Sequence, residues 1–98
     1  MNERELYQQK AQARLDEWKA ELDKLKAQAE QADADTRIEL NRQIKTMKAQ
    51  IEQGENKLDE LSEAGEQSWE ELKQGFESAW DSLSDAFGKA ADKFRQQR

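Results

Sequence analysis

The side chains with the most obvious chemical potential are carboxylates, and their tightest run is Asp33, Asp35 and Glu39 in D-A-D-T-R-I-E. A calcium loop opens in this way, with oxygen ligands at alternating positions, a glycine at the sixth and a glutamate at the twelfth. Here Ile38 occupies the glycine position, Ile44 the closing position, and Arg37 brings a cation to the fifth. The run therefore reads as the solvated face of a helix, and no metal or other cofactor is expected. General acid–base catalysis draws on His, or on carboxylates, Lys or Tyr whose pKa is moved by burial. Nucleophilic catalysis pairs Ser, Cys or Thr with a base. The chain has no His and no Cys, which removes the common partners of both schemes. No enzyme is expected.

The other residues with distinctive chemistry are aromatic. Trp69 and Trp80 stand eleven residues apart, as do Phe76 and Phe87, and Leu61, Leu72, Leu83 and Phe94 form a third column at the same spacing. Eleven residues over three turns give about 3.67 per turn, which keeps an apolar stripe nearly straight along a helix. Such a face suits a helical partner or a lipid interface. Interfacial helices carry Lys and Arg opposite the apolar face, whereas residues 66–94 hold seven acids and three bases. Packing against protein is the preferred reading, and a membrane surface is the alternative.

These side chains need helices to present them. Of 98 residues none is Pro or Val, only five are Ile or Thr, and thirteen are Ala and nine Leu among many Glu, Lys, Gln and Arg. Those residues lose least on entering a helix, and a sheet lacks its raw material. The fold class is all-α. Charged residues make up 39% of the chain and the mean hydropathy is −1.26, a balance that approaches disorder unless periodicity supplies a buried face.

The periodicity is heptad. Leu15, Trp18, Leu22, Leu25, Ala29, Ala32 and Thr36 alternate steps of three and four, and Leu40, Ile44, Met47, Ile51, Gly54, Leu58 and Leu61 resume the pattern offset by one residue. Where the two frames meet, the steps from Ala32 through Thr36 and Leu40 to Ile44 are all four. One helix running through this skip is preferred, because no Gly, Pro or Asn marks an end. The competing reading is a turn near 33–36, with Asp35 or Thr36 as N-cap and T36-x-x-E39 as capping box. A clearer break falls near Gly65, with S68-x-x-E71 as a second capping box. Gly54, Gly75 and Gly88 read as tolerated helix positions.

The expected architecture is a long coiled-coil helix over residues 1–64, helical from about 3 to 63, followed by an amphipathic helix over 65–98. The alternative is an antiparallel three-helix bundle turning near 33–36 and 64–67. A helix of roughly 90 Å cannot bury its stripe alone, so homo-oligomerisation is expected. Its interface would comprise Leu15, Trp18, Leu22, Leu25, Leu40, Ile44, Met47, Ile51, Leu58, Leu61, Trp69, Leu72, Phe76, Trp80, Leu83, Phe87 and Phe94. A protein partner is also compatible with these faces. Nucleic acid is not expected, since duplex binding needs clustered cations and the net charge is −6. The polar start MNERELYQQK is no secretory signal, and cytoplasmic is the default location.

At L-D-E-W (15–18), A-D-A-D (32–35) and the paired Trp69 and Trp80, the chain resembles a family of short bacterial coiled-coil proteins, some of them spoken of as stress-associated. That resemblance spans nearly the whole chain and implies a helical, non-catalytic protein. The eleven-residue repeat is similar, more loosely, to those of apolipoproteins and desiccation-protective proteins.

Overall fold

Periodic stripes on strong helix formers leave each segment one apolar side to hide, and the chain hides all of them within itself. A computed structural model describes residues 2–96, which form three helices: α1 (Glu3–Glu30), α2 (Ala34–Ser62) and α3 (Trp69–Gln96). They run up, down and up. Lys19 of α1 meets Glu55 of α2, and α1 runs parallel to α3, with Tyr7 beside Trp69 and Glu21 beside Arg95. The resulting rod measures 53 × 22 × 17 Å.

The all-α class holds, and the three-helix alternative describes the chain. The continuous helix through residues 31–33 does not. α1 ends at Glu30 with Gln31 as its C-cap, and the backbone of Asp33 swings to ψ 169° before α2 begins. The N-cap is Asp33, two residues before the earliest candidate, and its carboxylate accepts from Thr36 N at 2.8 Å. No described glycine or other residue adopts a positive φ. The turn therefore needs no glycine, and the usual marker of a helix end is missing from the sequence. What favours the turn is burial. Folding back lays Leu15, Leu22 and Leu25 against the Ile44, Met47 and Ile51 side of α2 in one core, where a straight helix on its own would leave that stripe in water.

Two arginines close the helix ends. The last carbonyls of a helix have no partner within it and are commonly met by glycine turns or nearby cations. Neither α1 nor α2 has a basic residue in its last turn. Instead Arg37, in the first turn of α2, donates to the carbonyls of Glu30 and Ala32, both at 2.9 Å. At the opposite end Arg4 of α1 donates to the carbonyl of Ser62 at 3.1 Å and to that of Ala64. Each guanidinium thus ties one helix to the exit of another. α3 begins directly after Ser68, whose carbonyl accepts from Leu72 N at 3.0 Å. Gly65 lies in this connection without a left-handed φ.

The core is a single cluster to which all three helices contribute. The segments read as 1–64 and 65–98 thus share one interior. No described buried residue is polar or charged, and no described helix is long and apolar enough to cross a membrane.

Candidate functional site

The feature that distinguishes this bundle is the seam between α1 and α3. α2 packs its backbone closely on both neighbours, whereas α1 and α3 meet through stacked aromatic rings. Tyr7 stands edge-on between Trp69 and Phe76, with centroids 5.8 and 5.9 Å away. Phe76 stacks on Trp80 at 5.2 Å. Trp18 lies nearly parallel between Trp80 at 5.0 Å and Phe87 at 4.9 Å. Offset-stacked and edge-to-face pairs at these separations each add about 0.5–1.5 kcal/mol beyond area burial. Six rings form one column, and the seventh aromatic residue, Phe94, is fully buried in the core.

The column repeats. Tyr7 and Trp18 are eleven residues apart, the same interval that separates Trp69 from Trp80 and Phe76 from Phe87. Tyr7 sits between the first member of each α3 pair, and Trp18 between the second members. Two parallel helices sharing one period keep their facing residues in step, so the arrangement recurs after three turns. The α3 repeat was visible by itself. Its counterpart on α1 was not, because Tyr7 lies outside the heptad frame that begins at Leu15, although the spacing of Tyr7 and Trp18 was the available signal.

Gly54 makes room for this stack. A Cβ added there would lie 2.9 Å from Leu15 Cδ2, 3.5 Å from a ring carbon of Trp80 and 3.8 Å from one of Trp18. The position is a contact point for three side chains and not merely a tolerated helix glycine. Gly75 and Gly88 have nothing within 4 Å of such a Cβ.

Cations trim the seam. The Arg4 guanidinium lies 4.8 Å from the Trp69 ring centroid and Lys73 Nζ 5.0 Å from that of Tyr7. Lys73 also approaches Glu3 at 4.0 Å, and Arg95 pairs with Glu21 at 3.1 Å. Lys19 and Lys73 thus reach across to acids on other helices. The local pairs Glu39–Arg42, Asp85–Lys89 and Asp92–Arg95 do form. The Tyr7 hydroxyl donates to Glu77 at 3.2 Å. Its pKa is pushed up to about 12, chiefly by burial and then by the negative charges of Glu77 and Asp81. The Asp33 carboxyl is held below its ordinary value by the Thr36 N–H it accepts. Both shifts belong to groups that tie the fold together.

Of the residues expected to form an interface between chains, all but Trp69, Leu72 and Trp80 are buried inside this one chain. Trp69 and Trp80 are half-buried against the core. Leu72 is 43% exposed, in a groove it shares with Lys57, Glu60, Leu61 and Gly75. The aromatic stripe read as suited to a helical partner or a lipid interface is turned inward at Phe76, Phe87 and Phe94. Asp33 and Asp35 cap and open α2 rather than converge with Glu39, and the described residues contain no cluster of three acids suited to a metal ion. A shallow groove over the column is lined by Tyr7, Lys10, Ala11, Arg14, Phe76 and Trp80. No family model, curated protein or solved structure matches the chain.

Proposed function

We propose that this is a non-enzymatic structural or interaction protein that works by helix-to-helix packing, with a second copy of itself as its first partner. The observation that carries the reading is the division of labour among its side chains. Apolar and aromatic residues are spent on a core in which no described residue is polar or charged, while acids and bases lie along solvated helix faces. A protein built in this way acts through the shape and charge of its outer helical surface. Self-association is supported by the thinness of the core, since a domain of this size has little apolar area to hide. It is also supported by Leu6, Ile38 and Leu72, large apolar side chains left 43–55% exposed. A stress-linked stabilising role is the finer form of the proposal and rests on the resemblance to short bacterial coiled-coil proteins.

Size-exclusion chromatography coupled to light scattering tests the reading. The mass should rise above 11.4 kDa as protein concentration is raised. A constant monomer mass would remove self-association. Co-sedimentation with neutral and anionic vesicles should leave the protein in the supernatant, and pelleting with either would favour the membrane-surface alternative.

A further inference from the structure

The turn between α1 and α2 has the makings of a hinge, and we propose that through it the chain exchanges α1 with a second copy, forming a domain-swapped dimer in which α1 and α2 fuse into one helix. This rests on the reading of the chain as self-associating and names how it does so. Only Gln31, Ala32 and Asp33 separate the two helices, and short hinges of this kind favour exchange. Gln31 is already in the right-handed helical region, with φ −90° and ψ −6°, so the marked departure from helical geometry is at Asp33, ψ 169°. Apart from the Asp33 cap, nothing in the hinge prefers a turn. It has no glycine and no proline, and no positive φ.

The hydrogen bonds exchange nearly one for one. In the closed turn Arg37 serves the carbonyls of Glu30 and Ala32, and Asp33 serves the N–H of Thr36. In a continuous helix the same carbonyls accept from the N–H groups of Ala34 and Thr36, four residues on. The apolar stripe also runs through, from Leu25 by way of Ala29, Ala32 and Thr36 to Leu40. An opened chain therefore carries one uninterrupted face about 90 Å long. α1 of each chain can then occupy on its partner the place it occupies here, remaking both the core and the aromatic column. The α2–α3 connection is a poorer hinge. It spans residues 63–68 and includes Gly65.

The absence of native cysteine makes the exchange directly readable. Lys19 Nζ and Glu55 Oε1 meet across α1 and α2 at 3.2 Å, so cysteines at these positions are separated by the reach of the two lost side chains and are joined by a spacer, not by a disulfide. Chains carrying Lys19→Cys and chains carrying Glu55→Cys are mixed, unfolded, refolded together at high concentration, then diluted and treated with a bis-maleimide that spans that gap. A swapped dimer places the two cysteines of different chains within reach of the linker, and mass spectrometry then finds the cross-linked heterodimer. Two hinge variants give the signal its meaning. Ala34→Pro suits the first position of α2 and the extended backbone of Asp33 before it, but forbids the continuous helix. It should abolish the heterodimer cross-link while circular dichroism keeps its helical signal. A single Ala34→Pro chain carrying both cysteines should be linked within itself, proving that the positions can be bridged. Asp33→Ala removes the cap and should raise the cross-link yield several-fold. Refolding of the parent and Asp33→Ala mixtures without the heterodimer cross-link overturns the exchange, as does an undiminished yield with Ala34→Pro. A dimeric mass lacking the cross-link sinks the swap but leaves self-association standing, and monomers throughout sink both.

Discussion

Gly54 and Gly88 are both glycines inside helices, yet adding a side chain at one meets packed neighbours and at the other meets open space. A glycine in a helix interior costs about 0.5–1 kcal/mol relative to alanine through backbone entropy. At Gly88 nothing stands within 4 Å of a new Cβ, so Gly88→Ala should recover about that amount. At Gly54 the new atom meets Leu15, which has no accessible surface, beneath the Trp18–Trp80 stack. A larger side chain there must push the rings apart, and Gly54→Leu should cost about 1–3 kcal/mol. Urea denaturation midpoints of the two variants should move in opposite directions, and a shared direction would remove the special role of Gly54. Gln50 has the same kind of local identity. Its buried Oε1 has no hydrogen-bond partner among the described residues, and that is a desolvation cost the fold carries.

Helix ends show why elements here depend on one another. α1 and α2 lack cations in their own last turns, so their exposed carbonyls draw arginines from elsewhere in the chain. Arg37→Ala removes two hydrogen bonds at an exposed turn and should cost about 1 kcal/mol. Arg4→Ala also removes the contact over Trp69, worth about 0.5–1 kcal/mol at an exposed site. It should therefore be the more damaging of the two. Arg4→Lys keeps a charge but not the planar fork that spans two carbonyls, and should restore less than half the loss. Thermal unfolding of the three variants checks the order. An Arg4→Lys protein as stable as the parent would show that charge alone suffices. Neither arginine was legible as a cap beforehand. Sequence signals for helix exits look to the same helix or to the residues just after it, whereas Arg4 lies 58 positions from the carbonyl of Ser62.

For the whole molecule, much of the interior was legible and its closure was not. Heptad positions such as Leu15, Leu22, Ile51 and Leu61 are buried as their spacing requires, because helical periodicity reports which side faces inward. It does not report which chain or which segment does the burying. The turn at Gln31–Asp33 is written in residues that also suit a helix, so the stripe reads equally well straight or folded back. Tyr7 illustrates the same limit, since only its eleven-residue distance from Trp18 connects it to α3. Its hydroxyl also gives the docking of α1 on α3 a pH limit. A tyrosine whose folded pKa is raised contributes stability that is complete below its ordinary value near 10. That contribution is lost as pH climbs toward about 12, because the unfolded chain ionises first. Tyr7 is the sole tyrosine, so tyrosinate absorbance follows this group alone. Its titration should be displaced upward in the native protein, and helicity should fall across the same window. Tyr7→Phe should remove the tyrosinate signal and blunt that loss, whereas an ordinary titration of Tyr7 would show the ring to be free.

The shared interval of Tyr7 and Trp18 with the paired α3 aromatics has a consequence for length. A structure built on a repeating step has no intrinsic size, much as a zipper works at any number of teeth. Adding one further eleven-residue step to each helix would return every ring to the same phase and hand the next turn an identical socket. Adding seven, the interval natural to the α1–α2 side, would keep the same face inward, as the spacing of Trp69 and Phe76 shows, but would break the order in which each α1 ring enters between a Trp and a Phe of α3. The bundle therefore contains two rulers of different graduation, and the aromatic one decides by what increments it can grow.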